Sequence, residues 1–149
     1  MNTQIIALHN EYSRSCAMKI LGNLPVDDTI EIVIQPRKQK RSNAQNALFW
    51  GARLKEISEQ AWVGGKQFSS DVWHEHLKRE FLPEGHEPDF ERRVRKGYRK
   101  WDFLPNGDRQ LVGSTTQLTT YGMTQYMVEC EAFAASELGV RFSADRIAA

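Results

Sequence analysis

A cluster of basic residues with aromatic neighbours is the clearest chemical feature of the sequence. Between residues 92 and 100, six of the nine residues are basic and none is acidic: Arg92, Arg93, Arg95, Lys96, Arg99 and Lys100. Tyr98 lies within this run, and Trp101 directly follows it. Cations that follow a sugar–phosphate backbone, together with rings that stack on bases, are typical of proteins that bind single strands. The run therefore predicts contact with nucleic acid, although a solvated loop has the same composition.

A second basic segment precedes a predicted helix. The segment and the first turn of that helix contain Arg37, Lys38, Lys40, Arg41, Ser42, Gln45 and Asn46. Free N–H groups and the positive end of a helix favour phosphate, and amide side chains donate to phosphates or base edges. These residues are the second candidate for nucleic-acid contact. In the alternative interpretation, Ser42 and Gln45 only cap the helix, and Trp50 packs in the core instead of stacking on a base.

Two further groups of polar residues have weaker signals. Ser114, Thr115 and Thr116 precede the last predicted helix, where their hydroxyl groups either contact an anion or cap a turn. His74 and His76 are two residues apart, so on a helix they point in different directions and do not converge on a metal. We predict no metal and no cofactor. The enzymatic alternative is a metal-dependent nuclease that uses Asp71 and Glu75 with one of these histidines.

Composition limits the class of protein. With 149 residues, 40% hydrophobic and 26% charged, the chain has the size and composition of one globular domain. The net charge is only +1, but residues 31–60 carry +3 and residues 91–113 carry +4. No apolar run is long enough for a membrane span, no secretory signal is visible, and the two cysteines are far apart. We therefore expect a cytoplasmic protein without disulfides.

Hydrophobic spacing and turn signals predict the helices and strands that carry these residues. We predict short strands at 3–8 and 29–35, and a hairpin that joins 101–104 to 110–112 around Asn106-Gly107. We predict helices at about 9–22, from Ser42 to about 62, from Ser70 or Asp71 to about 81, and at about 119–138. Residues 83–109 are expected to form an exposed, mobile basic excursion. The predicted fold is a compact α+β domain with three or four helices and a few short antiparallel strands.

Several of these features occur together in a known family. The segment 36–50 (PRKQKRSNAQNALFW) resembles the R-S-x-x-Q-N-x-x-x-W signature of NinB, also called Orf, the recombination protein of lambda-like phages. Residues 113–118 (GSTTQL) resemble the family's G-x-S-T-S/T-x-L/M element, and residues 132–143 (AFAASELGVRFS) resemble its A-F-x-x-E-x-G-V-x-W/F-S ending. The resemblance covers about residues 30–143.

The resemblance implies a homodimeric recombination mediator that is not an enzyme. Such a protein binds DNA, preferring single-stranded regions and possibly taking duplex as well, contacts the host single-strand-binding protein, and assists loading of a strand-exchange protein. The family's functional positions correspond here to Arg41, Ser42, Gln45, Asn46, Trp50, Ser114, Thr115 and Thr116. This chain departs from the lambda protein in a longer 83–109 segment and a shorter C-terminal end. We expect the 92–100 run to replace the DNA contacts of the missing tail.

A third class of function is a protein adaptor without DNA affinity. The acidic stretch 84–91, with Glu84, Glu87, Asp89 and Glu91, is the feature that suggests a protein-facing surface. DNA binding at physiological salt distinguishes the mediator from this adaptor, and cleavage of DNA with magnesium distinguishes it from the nuclease.

Overall fold

The computed structural model describes residues 4–36 and 43–143, with residues 43–46 described by their backbone alone. Its helices are α1 (Glu11–Gly22), α2 (Asn43–Gln60), α3 (Ser70–Phe81), α4 (Phe90–Arg93) and α5 (Thr120–Glu137), with a 3₁₀ turn at Thr115–Gln117. Two strands, β1 (Trp101–Phe103) and β2 (Arg109–Leu111), form an antiparallel hairpin. The predicted α+β class is confirmed. None of the helices in the described ranges is both long and apolar enough to cross a membrane.

Helix α5 is the centre of the core. The other four helices contact it, and its side chains are buried on nearly all sides. Most of its buried residues are apolar or small, and a helix of this kind belongs in a protein interior. It contributes Tyr126, Met127 and Cys130 to the core, and the residues packed around it include Trp50, Leu54, Ile57, Trp73, Leu77, Val140 and Phe142.

Local sequence signals set where the helices begin. Asn10, Ser69 and Thr119 precede α1, α3 and α5, and each side chain accepts a hydrogen bond from a backbone N–H of the first turn. The cap of α3 is therefore Ser69 and not the predicted Ser70 or Asp71. On this helix Trp73 and Leu77 are buried, whereas Val72 and His76, which the apolar spacing also places on the buried side, are exposed.

The hairpin prediction is confirmed. Trp101 pairs with Leu111 and Phe103 pairs with Arg109, so the turn falls at Asn106-Gly107. Gly107 has a φ of +89°, which a glycine adopts without strain. The turn is closed by the Gly107 N–H, which donates to the Leu104 carbonyl at 2.8 Å.

Two predicted strands are wrong. In the described parts of 3–8 and 29–35 the chain forms no strand, although the composition of both segments favours one. Ile32, Val33 and Ile34 are all exposed. A strand needs the ladder of hydrogen bonds from a neighbour, and within residues 4–36 and 43–143 no element pairs with either segment.

The segment after residue 83 is not the fully exposed excursion that its composition predicts. It includes the short helix α4, and the chain that follows runs beside the start of α5. The Thr119 N–H donates to the Arg93 carbonyl at 3.0 Å, and the Arg95 N–H donates to the Gln117 carbonyl at 2.8 Å. The approach is so close that a Cβ on Gly122 would lie 1.9 Å from the Arg93 carbonyl oxygen. Glycine at 122 is therefore what allows this segment to dock on α5.

Candidate nucleic-acid interface

The exposed cations of residues 91–113 form the candidate interface. Five of its seven basic residues are exposed: Arg92, Arg95, Lys96, Arg99 and Arg109. Three acidic residues of this stretch, Glu91, Asp102 and Asp108, are exposed as well. Because Arg93 and Lys100 are buried, the surface charge of this stretch is about half of the +4 that the sequence carries there.

Arg93 is a core residue and not the surface cation that its place in the basic run predicts. Only 4% of it is exposed. Its two terminal nitrogens lie 2.9 Å from Glu87 Oε2 and 3.0 Å from Glu129 Oε1, and the Asn10 amide donates to the same Glu129 oxygen at 2.9 Å. Burial raises the pKa of Glu129, although the charge of Arg93 acts in the opposite direction. The role of Arg93 is to neutralise buried carboxylates, so we remove it from the predicted DNA contacts.

Lys100 is the second correction in the basic run. Its ammonium group is buried, donating to the Leu82 carbonyl at 2.9 Å and to Glu84 Oε2 at 3.1 Å. A cation that contacts phosphate must lie on the surface, whereas the Lys100 ammonium group is buried and paired with Glu84. Glu84 and Glu87 therefore neutralise buried cations of their own chain, which weakens the interpretation of 84–91 as an acidic protein-binding surface.

The aromatic residues of the run are half-buried. Tyr98 donates its hydroxyl to the Pro83 carbonyl at 2.7 Å, and burial raises its pKa. Trp101 on β1 lies under the guanidinium of Arg109, with 4.1 Å between the Arg109 carbon and the ring centre. The ring faces are therefore already partly covered by the protein, and a base that stacks on Trp101 must displace or extend this cation–π contact.

The sequence analysis missed three residues at this surface: Arg79, Arg109 and Tyr121. Arg109 and Arg79 lie over Trp101, and Arg92 lies over the ring of Tyr121 at 4.1 Å. The contact of Arg109 with Trp101 could have been predicted from the hairpin register. With the turn at Asn106-Gly107, Arg109 is the diagonal neighbour of Trp101, within reach of a long side chain. Arg79 and Tyr121 come from other helices, and nothing in the local sequence connects them to the run.

The serine–threonine element forms its own turn. Ser114 caps the 3₁₀ turn by accepting from the Thr116 N–H at 3.2 Å, and its hydroxyl lies 2.9 Å from that of Thr116. The Gln117 side chain accepts from the Ser114 N–H at 3.1 Å. These contacts match the interpretation of the element as cap residues. Thr116 is exposed and Thr115 is half-buried, and their contact with an anion stays a prediction.

The basic loop Arg37, Lys38, Lys40, Arg41 and the following Ser42 lie outside the described residues. Gln45 and Asn46 lie in the first turn of α2, and only their backbone is described. Further along α2, Trp50 is buried, with 4% of it exposed. Its indole N–H donates to His74 Nδ1 at 3.3 Å, and its ring packs edge-on against Tyr126. Trp50 is therefore a core residue in this structure.

The two histidines make separate contacts. His74 accepts from Trp50 through Nδ1, and burial together with nearby Lys78 lowers its pKa. His76 is exposed and its ring packs against Trp73. In the part of the chain that the structure describes, no group of three or more potential ligands is placed to hold a metal ion.

Comparison with known proteins gives a family match. The family model described as NinB protein matches residues 2–86, which is more than half of the chain. A solved structure described as "Structural Genomics, NinB" shares 18% sequence identity, with 96% of each chain covered and a TM-score of 0.43. The comparison with curated proteins finds no match.

Proposed function

The chain belongs to the NinB family of phage proteins, and from this premise we propose that it binds DNA as a recombination mediator. It prefers single-stranded regions and acts as a homodimer. It contacts the single-strand-binding protein of the host and assists loading of a strand-exchange protein. It does this by binding, without a catalytic step.

The observation that carries the proposal is the set of exposed cations around half-buried rings. Arg109 lies over Trp101 and Arg92 over Tyr121, and Arg95, Lys96 and Arg99 are exposed nearby in the chain. Single-strand binders combine cations that follow the backbone with rings that stack on bases, and stacking is tolerant of sequence. The four basic residues between 37 and 41, which lie outside the described residues, are a further predicted source of DNA contacts.

The test is fluorescence anisotropy with labelled single-stranded and duplex oligonucleotides across a salt series with magnesium. We expect tighter binding to the single strand and a steep fall in affinity with salt, because each phosphate contact releases counterions. A variant with Arg92, Lys96 and Arg99 replaced by alanine removes three exposed cations. Its slope of log affinity against log salt should be shallower by about 2, since each contact to a single strand contributes about 0.7.

The matched control replaces Arg14, Lys66 and Arg141, which are also exposed but lie outside the 91–113 segment. It changes the total charge by the same amount, so an equal loss of slope in both variants would contradict the proposed interface. No binding of either oligonucleotide at low salt would refute DNA binding and favour the adaptor. Shortening of the oligonucleotide in magnesium would favour the nuclease.

The homodimer and the partner are tested separately. Light scattering of the purified protein should give twice the mass of the 17.2 kDa chain. The purified single-strand-binding protein should be retained by the immobilised chain, and a version without its acidic tail should be retained less.

A further inference from the structure

A cavity of about 290 Å³ lies beside the candidate interface, between the turn at 83–86 and the segment 98–101. Its lining includes Glu84, His86, Phe90, Tyr98, Lys100 and Trp101. Ligand clefts in proteins measure about 300–1,000 Å³. The cavity is therefore just below the small end of this range and suits a group of one ring system.

Two polar residues of the lining, Lys100 and Glu84, form an ion pair. Lys100 is 95% buried, and two of its three N–H donors go to Leu82 O and Glu84 Oε2. Burial acts to raise the pKa of Glu84, but the hydrogen bond and charge of Lys100 outweigh it, and the pKa lies below its ordinary value of 4.5. At neutral pH the cavity thus presents an ionised carboxylate as acceptor next to an ammonium donor.

The remaining walls are aromatic and held in place. The Tyr98 hydroxyl is fixed on the Pro83 carbonyl, and its ring packs edge-on against Phe90 with centres 5.9 Å apart. The carboxylate of Glu84 disfavours a phosphate inside the cavity. A flat, uncharged ring fits both the walls and the neutral ion pair, while exposed Arg99 at the edge is placed for the attached phosphate.

We propose that this cavity takes one nucleobase with an exocyclic amine from a bound single strand. The amine of cytosine, adenine or guanine donates to Glu84, whose side chain is 34% exposed. A carboxylate accepting from the cytosine amine is an established pairing, whereas thymine presents a carbonyl oxygen at that position. That carbonyl would face the carboxylate. Thymine can donate only from its ring N3–H, which lies between two carbonyl oxygens that repel the carboxylate, so thymine binds less tightly. This inference rests on the proposed DNA binding and adds a base preference to it.

The test compares oligodeoxycytidine with oligodeoxythymidine of equal length by anisotropy at neutral pH. The wild-type protein should bind the cytidine strand about tenfold more tightly, because a specific contact of this kind discriminates by about that factor or more. Glu84→Gln should reduce the preference, since the amide offers a donor to the base as readily as an acceptor.

A second variant leaves the ion pair intact. Gly85 lines the cavity, its φ is not in the left-handed region, and a Cβ there would meet nothing within 4 Å. Gly85→Leu should fill the cavity, abolish the preference and leave thymidine binding unchanged. Gly22→Leu, at an equally open glycine at the end of α1, is the control and should keep the preference.

The outcomes separate the cavity from DNA binding in general. Equal affinity of the wild-type protein for both strands, or a preference that survives Gly85→Leu, would overturn the base site while DNA binding stands. If neither strand binds, the proposed function fails, and cytidine monophosphate is then titrated while the Trp101 indole N–H signal is followed by NMR. A shift of the Trp101 signal would mean that the ligand of the cavity is a free nucleotide and not a base within a strand. No shift would refute the site altogether.

Discussion

The neighbouring residues Arg92 and Arg93 should behave in opposite ways when each is replaced by alanine. Arg93 is 4% exposed and neutralises Glu87 and Glu129, whereas Arg92 is exposed over the Tyr121 ring. Removing one partner of a buried ion pair costs about 3–5 kcal/mol, because it leaves a buried charge without its counterion. For a chain of this length each kcal/mol lowers Tm by about 2–4 °C. Arg93→Ala should therefore lower Tm by about 6–20 °C, and Arg92→Ala by about 2–4 °C at most.

The same pair of variants should separate in DNA binding. Arg92→Ala should make the salt dependence shallower by about 0.7, one phosphate contact to a single strand. Arg93→Ala, measured below its own Tm, should keep the wild-type slope. Arg93→Lys is the intermediate case, since lysine keeps the charge but cannot reach both carboxylates with a planar fork.

The loss of stability in Arg93→Ala should also depend on pH. Burial raises the pKa of Glu129, and removing Arg93 takes away a charge that lowers it. Between the ordinary value of 4.5 and this raised pKa, the folded state binds more protons than the unfolded state, so the free energy of unfolding falls as pH rises. The difference from wild type should therefore be smaller at mildly acidic pH than at neutral pH. Thermal and urea unfolding measure it, and equal Tm values for Arg93→Ala and wild type would refute the assignment of Arg93 to the core.

Three further predictions concern other parts of the chain. Trp50→Phe removes the hydrogen bond to neutral His74 and should lower the free energy of unfolding by about 1 kcal/mol. Burial lowers the pKa of His74, and NMR titration should show that this pKa is higher in the variant than in the wild-type protein. An unchanged pKa would contradict the prediction. In the wild-type protein the contribution of His74 to stability should decline as pH falls below the ordinary histidine value of 6.5, because the unfolded state then binds more protons at this residue. Gly107→Ala places a side chain at a φ of +89° and should lower the free energy of unfolding by about 1–2 kcal/mol. The amides of the hairpin should then exchange faster with solvent, and unchanged protection from exchange would contradict the prediction. A peptide with the acidic tail sequence of the single-strand-binding protein should compete with DNA for the exposed cations, and a DNA affinity that is the same with and without peptide would show that the two sites are separate.

Elements with strong local signals were predictable from sequence. The four long helices follow from apolar spacing, with their described bounds within two residues of the prediction, and the hairpin follows from Asn106-Gly107. The predicted strands at 3–8 and 29–35 failed because a β-branched composition allows an extended chain but does not supply a partner. Helix α4 was missed because its four residues are too few to show periodicity.

For the candidate site, the amino-acid sequence predicts a dense basic run with aromatic neighbours and a tight turn after it. These are properties of residue type and short spacing. Which of the cations reach the surface cannot be predicted in this way, because burial depends on contacts between residues far apart in the chain. Arg93 and Lys100 are indistinguishable from their neighbours in sequence, yet they meet Glu129 and Glu84 inside the fold. A buried cation is stable only beside such a counterion, and the fold brings those carboxylates together with the run.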